Sequence, residues 1–232
     1  MWRHVFSTVA LALVVACSGN ERTPLAPTPI VPSTAGPIPA PLSLTGVVYE
    51  LDGAGRRPLA GAGIDISPEY QSWPPSMVTD ADGRFSVPGA ARGLKIIATK
   101  ADYSQPCRVP VDGSSDHYEV FLVRNAVLAV DGMPASIPLR GPVLTGRVFE
   151  RTTGGDQPIA GASVVIDFTG GMGWAPSATT ITDALGRYVV CNVANASGLG
   201  LAALVRKAGF ADVFVEIGLS APGTFDVELR RR

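Results

Sequence analysis

Three cysteines, two histidines and two similarly placed tryptophans, Trp73 and Trp174, are the side chains of this 232-residue chain with most chemistry to offer. A catalytic reading finds few parts. His4 lies in the apolar N-terminal stretch, and His117 stands alone beside Asp116. A zinc site needs several His, Cys or carboxylate ligands at characteristic spacing, and a Ser-His-Asp triad needs a placed base and a nucleophile elbow. Neither set is complete here. The carboxylates are scattered, with no pair set apart for acid and base work. Gly170-Gly171 precedes no helix, so no phosphate cradle is implied. Asp80-Ala81-Asp82-Gly83 resembles the start of a calcium loop, yet positions 5 and 12 counted from Asp80 are Arg84 and Ala91. A hydrogen-bonded turn is the favoured reading: aspartate caps its own backbone and glycine supplies a positive φ. The expectation is no catalytic residue, no metal and no cofactor.

Trp73 and Trp174 are the better candidates for contact with another molecule. Trp73 sits between Ser72 and Pro74-Pro75-Ser76, and Trp174 between Gly173 and Ala175-Pro176-Ser177. Exposed on a loop, such a ring could stack on a sugar or anchor a peptide. Turned inward, it would close the end of a β-sandwich, since aromatics bury large areas. Both readings stay open.

Cys17 is the cysteine with the clearest setting. Arg3 gives a positive start, and Val5 to Ala16 form an apolar run broken only by Ser7 and Thr8. Small Ala16 precedes the cysteine, and polar Ser-Gly-Asn follows it. This is the layout of a secretory signal peptide over 1–16, too short to span a bilayer, which takes about 20 apolar residues. Val14-Val15-Ala16-Cys17 resembles the lipobox of bacterial lipoproteins. That resemblance implies a diacylglyceryl group on the Cys17 thiol and cleavage before it. Ser18, which is not Asp, implies the outer membrane or cell surface. A plain signal peptide that happens to end at a cysteine is the alternative. Durable anchoring requires two or more acyl chains at roughly 0.8 kcal/mol per buried methylene.

Bulk charge excludes some partners. With 19 basic and 20 acidic residues there is no positive surplus for nucleic acid. Cys107 and Cys191 remain. In an exported chain they could bridge, but their places in the sequence are not equivalent, and two separate buried thiols are favoured.

Residues 17–42 read as a tether. Seven of the 18 residues from Pro24 to Pro41 are proline, which suits extended polyproline II at about 3.1 Å per residue. A duplication follows. Leu44-Thr45-Gly46-Val47-Val48 matches Leu144-Thr145-Gly146-Arg147-Val148, and Pro58-Leu59-Ala60-Gly61-Ala62 matches Pro158-Ile159-Ala160-Gly161-Ala162. Thr79-Asp80-Ala81-Asp82-Gly83-Arg84-Phe85 matches Thr182-Asp183-Ala184-Leu185-Gly186-Arg187-Tyr188, and Lys100-Ala101 matches Lys207-Ala208. The offset grows from 100 to 107, as loop insertions in the second copy would produce.

Each copy reads as all-β, with short apolar or β-branched runs at 44–50, 63–67, 83–87, 94–99 and 118–123. The counterparts are 144–150, 163–167, 186–190, 200–206 and 225–229, with one more strand at 211–219 matched near 105–111. Ile64, Ile66, Val164 and Ile166 should face the cores by the period-two rule. No amphipathic helix is expected after residue 16, and 125–142 reads as a linker whose residues 126–130 could extend the first sheet.

The order of these motifs, occurring twice, resembles the carboxypeptidase regulatory-like domain. That resemblance implies two tandem seven-stranded transthyretin-like β-sandwiches at 43–124 and 143–232. It brings no catalytic residues, since the family is named for a neighbouring peptidase. Some related surface domains carry a Lys–Asn isopeptide from the first strand, but neither 44–50 nor 144–150 holds lysine. The expectation is a non-catalytic, envelope-anchored structural or interaction module, held to the membrane through Cys17 and facing an unidentified protein or glycan. Carbohydrate binding through Trp73 and Trp174 is the alternative.

Overall fold

The computed structural model describes residues 42–52, 54–68, 77–90, 94–168, 178–193, 200–218 and 223–232. Cys17, Trp73, Trp174, the leader and nearly all of the tether lie outside them. Ala40–Arg232 form one compact unit.

The first copy runs β1 (Leu42–Asp52), β2 (Gly55–Pro58), β3 (Gly63–Pro68), β4 (Met77–Val78), β5 (Arg84–Ala90), β6 (Leu94–Thr99), β7 (Tyr103–Ser104), β8 (Val109–Val111) and β9 (His117–Arg124). The second runs β10 (Val143–Thr152), β11 (Gly155–Pro158), β12 (Ser163–Phe168), β13 (Ala178–Ile181), β14 (Arg187–Cys191), β15 (Leu201–Arg206), β16 (Val213–Gly218), β17 (Gly223–Thr224) and β18 (Val227–Glu228). The protein is an all-β sandwich fold, as expected. In each copy one sheet is antiparallel, ordered β4-β3-β6-β8 and β13-β12-β15-β16. The facing sheet is built around the first strand. β1 pairs β9 in parallel along one side, and β5 then β2 antiparallel along the other. β10 repeats this with β14 and β11, and with β17 and β18 as its parallel partners.

The glycine of the L-T-G motif has a packing reason. A Cβ on Gly46 would enter the Phe85 ring and the Tyr118 carbonyl, and one on Gly146 would enter the Phe225 carbonyl and Tyr188. The bare backbone lets the aromatic residue of the neighbouring strand lie across β1 or β10. Gly83 and Gly186, both at φ 71, close the turn before that strand, where a side chain would meet the carbonyl of Val48 or Val148.

Alternation along the strands fills two cores. Leu44, Val48, Ile64, Ile66, Ile96, Val120 and Leu122 pack in the first, and Leu144, Val148, Val164, Ile166, Val205 and Leu229 in the second. The four residues expected to point inward do so. A third core lies between the copies and holds Leu51, Val123, Leu128, Ile137 and Cys191.

Two expectations fail in residues 125–142. β9 stops at Arg124, and Asn125–Asp131 form a helix, α1. The run Ala126-Val127-Leu128-Ala129 is too short to show a helical period, but Leu128 becomes buried in the third core. Gly132, at φ 74, ends the helix with its N–H on the Leu128 carbonyl.

Candidate functional site

The described residues that depart most from a plain tandem lie at the seam between the copies. Cys107 and Cys191 form a disulfide, with Cα atoms 4.5 Å apart. The expectation of separate thiols is therefore corrected. Their non-equivalent positions are what a bridge needs when one copy offers the segment before its edge strand and the other offers the end of β14. Backbone bonds fix the same contact. Arg108 N–H donates to the Cys191 carbonyl at 3.0 Å, and Cys191 N–H to the Pro106 carbonyl at 3.0 Å. Thr179 N–H donates to the Gln105 carbonyl at 2.8 Å, while Gln105 N–H donates to Thr179 Oγ1 at 2.9 Å. The Gln105 side chain bonds Ala98 and the Ile96 carbonyl, so no amide is left bare there. Lys95 of β6, only 2% exposed, reaches Asp167 of β12 at 3.6 Å. Desolvation of the buried cation offsets much of its attraction to the carboxylate.

The turn motif behaves alike in both copies. Asp80 Oδ1 accepts from Asp82 N–H at 2.9 Å and Arg84 N–H at 2.8 Å. Asp183 Oδ1 accepts from Leu185 N–H at 2.9 Å and Arg187 N–H at 2.8 Å. Thr79 and Thr182 each donate to a backbone carbonyl, of Leu59 and Ile159, and accept the N–H of Ala62 or Ala162. These side chains therefore hold the chain before the next strand. Among the described residues, no group of three or more His, Cys, Asp or Glu is arranged around a metal.

Beside each turn lies a shallow shelf. In the first copy Thr45, Asp80, Arg84 and His117 border it. His117 is exposed, its Nδ1 3.2 Å from Thr45 Oγ1. In the second copy the matching shelf, about 450 Å³, gains a wall from α1 and its end, with Leu128, Asp131 and Met133. Four of its charged groups are paired: Arg147 grips Asp226 at 2.9 Å, and Arg187 meets Asp183 at 2.8 Å. Burial pushes the Tyr188 hydroxyl above its ordinary pKa, and that hydroxyl donates to the Phe225 carbonyl at 2.6 Å.

A second repeated pair ties the first strand to the last. Glu50, 4% exposed, accepts from Arg124 at 2.6 Å and Arg57 at 3.3 Å. Burial pushes its carboxyl up, but the hydrogen bonds and charges of the two arginines outweigh this and hold it below the ordinary glutamate value. Glu150 meets Arg231 through two nitrogens at 2.8 and 3.0 Å. Arg57 is replaced there by Gln157.

No family model matches the chain, and no curated protein does. Its resemblance to carboxypeptidase regulatory-like domains therefore rests on the motifs alone. Among solved structures, the shaft pilin SpaA of Lactobacillus rhamnosus GG overlaps 83% of this chain and 98% of its own, at 13% identity and a TM-score of 0.29. The minor pilin GBS52 of Streptococcus agalactiae covers 82% and 96%, at 14% identity and a TM-score of 0.29. The major pilin subunit of Bacillus cereus covers 82% and 99%, at 9% identity and a TM-score of 0.27. Overlaps this loose assign neither family nor activity. Among the described residues, no helix is long and apolar enough to cross a membrane.

Sequence reasoning missed the seam residues Gln105 and Lys95, and it named Cys107 and Cys191 but favoured separate thiols over the bridge. A signal was present: a lysine amid the apolar run Leu94 to Ala98, and a cysteine in the approach to an edge strand.

Proposed function

We propose that this chain is an exported, non-catalytic interaction module, anchored through a lipid on Cys17 and carried on its proline-rich tether. One observation carries the reading. The Cys107–Cys191 disulfide joins two separately built cores, as suits an oxidising compartment and a chain that presents two sandwiches as one rigid body. The leader pattern and Ser18 support an outer-membrane or cell-surface location. The partner is a protein or a glycan, and Trp73 and Trp174 are the first contact residues to test. Fractionation of cells making the full chain or its Cys17→Ala variant tests the anchor. The parent should sediment with membranes and incorporate labelled fatty acid, and the variant should do neither; a variant that stays membrane-bound would overturn the reading. A binding screen of the full chain against cell-wall glycans, with Trp73→Ala/Trp174→Ala alongside, separates the two partner classes.

A further inference from the structure

The Cys107–Cys191 bridge changes the path that a pull on the chain must take. Residues 42–107 come before the crossing, residues 191–232 come after it, and 84 positions separate the two cysteines. Tension applied at the two ends passes from sulfur to sulfur, because the covalent link is the shorter route. The stretch 108–190 is thereby closed off as a loop. It holds β9, α1, the linker and β10, and with them Val123, Leu128 and Ile137 of the third core.

Both terminal strands of the described chain lie against that loop. β1, on the tension path, pairs in parallel with β9, inside the loop, from Thr45 and His117 to Leu51 and Val123. β17 and β18, also on the path, pair in parallel with β10, again inside the loop. Side chains repeat the plan. Glu50 of β1 holds Arg124 of β9 at 2.6 Å, and Arg231, just beyond β18, holds Glu150 of β10 at 2.8 Å. The bonds of a parallel ladder are evenly spaced along the strands, so a pull in the strand direction loads them together.

We propose that the bridge is a mechanical bypass. It takes β9, α1, the linker and β10 out of the path of end-to-end tension and makes them one closed block, against which the first and last strands are held in shear. Without it, tension would run from Arg124 through α1 to Val143. The seam would then have to resist through the third core and the backbone bonds around Gln105 and Cys191. The use of such a bypass rests on the anchored reading above, but its mechanics do not: a chain that proved not to be lipidated would extend in the same way.

Single-molecule extension of the full chain, gripped by handle proteins fused at its two ends, tests this. The residues before Leu42 add the same length in every state and cancel in the comparison. Fully extended, the oxidised chain should be shorter than the reduced chain by about 300 Å, the reach of 84 residues at about 3.6 Å each. The reduced chain should also open in an early step of at most about 70 Å, as residues 125–142 are drawn out before either sandwich yields. The oxidised chain should lack that step. Cys107→Ser/Cys191→Ser should behave as the reduced parent, and reducing the folded parent in place gives the same reading if the double variant does not fold. An early linker step in the oxidised chain overturns the proposal. So does a reduced chain whose sandwiches yield before its linker, because the third core would then be holding the seam without the bridge.

Discussion

The two copies share a motif order, a turn and a sheet plan, yet they treat their edges in opposite ways. In the first copy the chain leaves β7, gives Gln105 to Arg108 to the partner sandwich, and returns as a three-residue strand containing Pro110. In the second copy the same stretch stays as the six-residue strand β16. One edge is spent on an internal seam, and the other has no further strand beside it among the described residues. Duplication therefore supplied two equivalent surfaces, and divergence at a few residues assigned one to holding the molecule together.

The seam is where the comparison breaks most easily. Replacing Cys107 and Cys191 by serine removes a crosslink spanning 84 residues, worth about 4.6 kcal/mol in the loop-entropy account. The double variant should melt at lower temperature and show the two sandwiches as separate transitions in calorimetry. A single unchanged transition would mean that the third core alone couples them.

Leu128→Ala probes that core. A buried leucine truncated to alanine costs about 3 kcal/mol. Urea unfolding should show the loss, whereas Val130→Ala on the exposed side of α1 should change little.

Glu50 and Glu150 sharpen the contrast on a smaller scale. Glu50→Gln removes a buried carboxylate with two arginine partners and should cost about 2 kcal/mol. Glu150→Gln, with one exposed arginine partner, should cost under about 1 kcal/mol. The folded pKa of Glu50 lies below its unfolded value. Its contribution is thus complete above the unfolded value and is lost as pH falls through the lowered one. Melting temperature followed downward from pH 6 should fall more steeply for the parent than for Glu50→Gln; parallel curves would exclude this group as a source of acid sensitivity.

The turn gives the smallest effect. Asp82 is exposed and contributes only its backbone N–H to Asp80, so Asp82→Leu, the second copy's residue, should shift stability by less than about 0.5 kcal/mol. Asp80→Ala, measured alongside, should cost more, because two N–H groups lose their acceptor.

Most of the sandwich was legible because strand alternation and turn chemistry are local. Ile64 and Ile66 declare a face by spacing, and Thr79-Asp80 declares a turn by the bonds such side chains make. The repeat also located each strand twice. What it concealed was the contact between copies. Matching equivalent positions draws attention to what the copies share, and the seam is made by what they do not: Cys107, Lys95, Cys191 and α1. The helix was missed because seven residues carry no period to read. The short hairpin strands β2 and β11 were missed because Gly55–Pro58 and Gly155–Pro158 are exposed and polar. Of the candidate contact residues, Cys17, Trp73 and Trp174 lie outside the described residues.

The parallel pairing of β1 with β9 also gives the fold a mechanical direction. The described chain enters at Leu42, and the first sandwich ends at Arg124, the far end of the same ladder. Tension between those points slides two parallel strands past each other. The ladder from Thr45 to Leu51 then carries the load together instead of opening one rung at a time. In the second copy the corresponding ladder is split between β17 and β18. Pulled from its two ends, the second sandwich should yield at lower force, a difference that single-molecule extension would read directly.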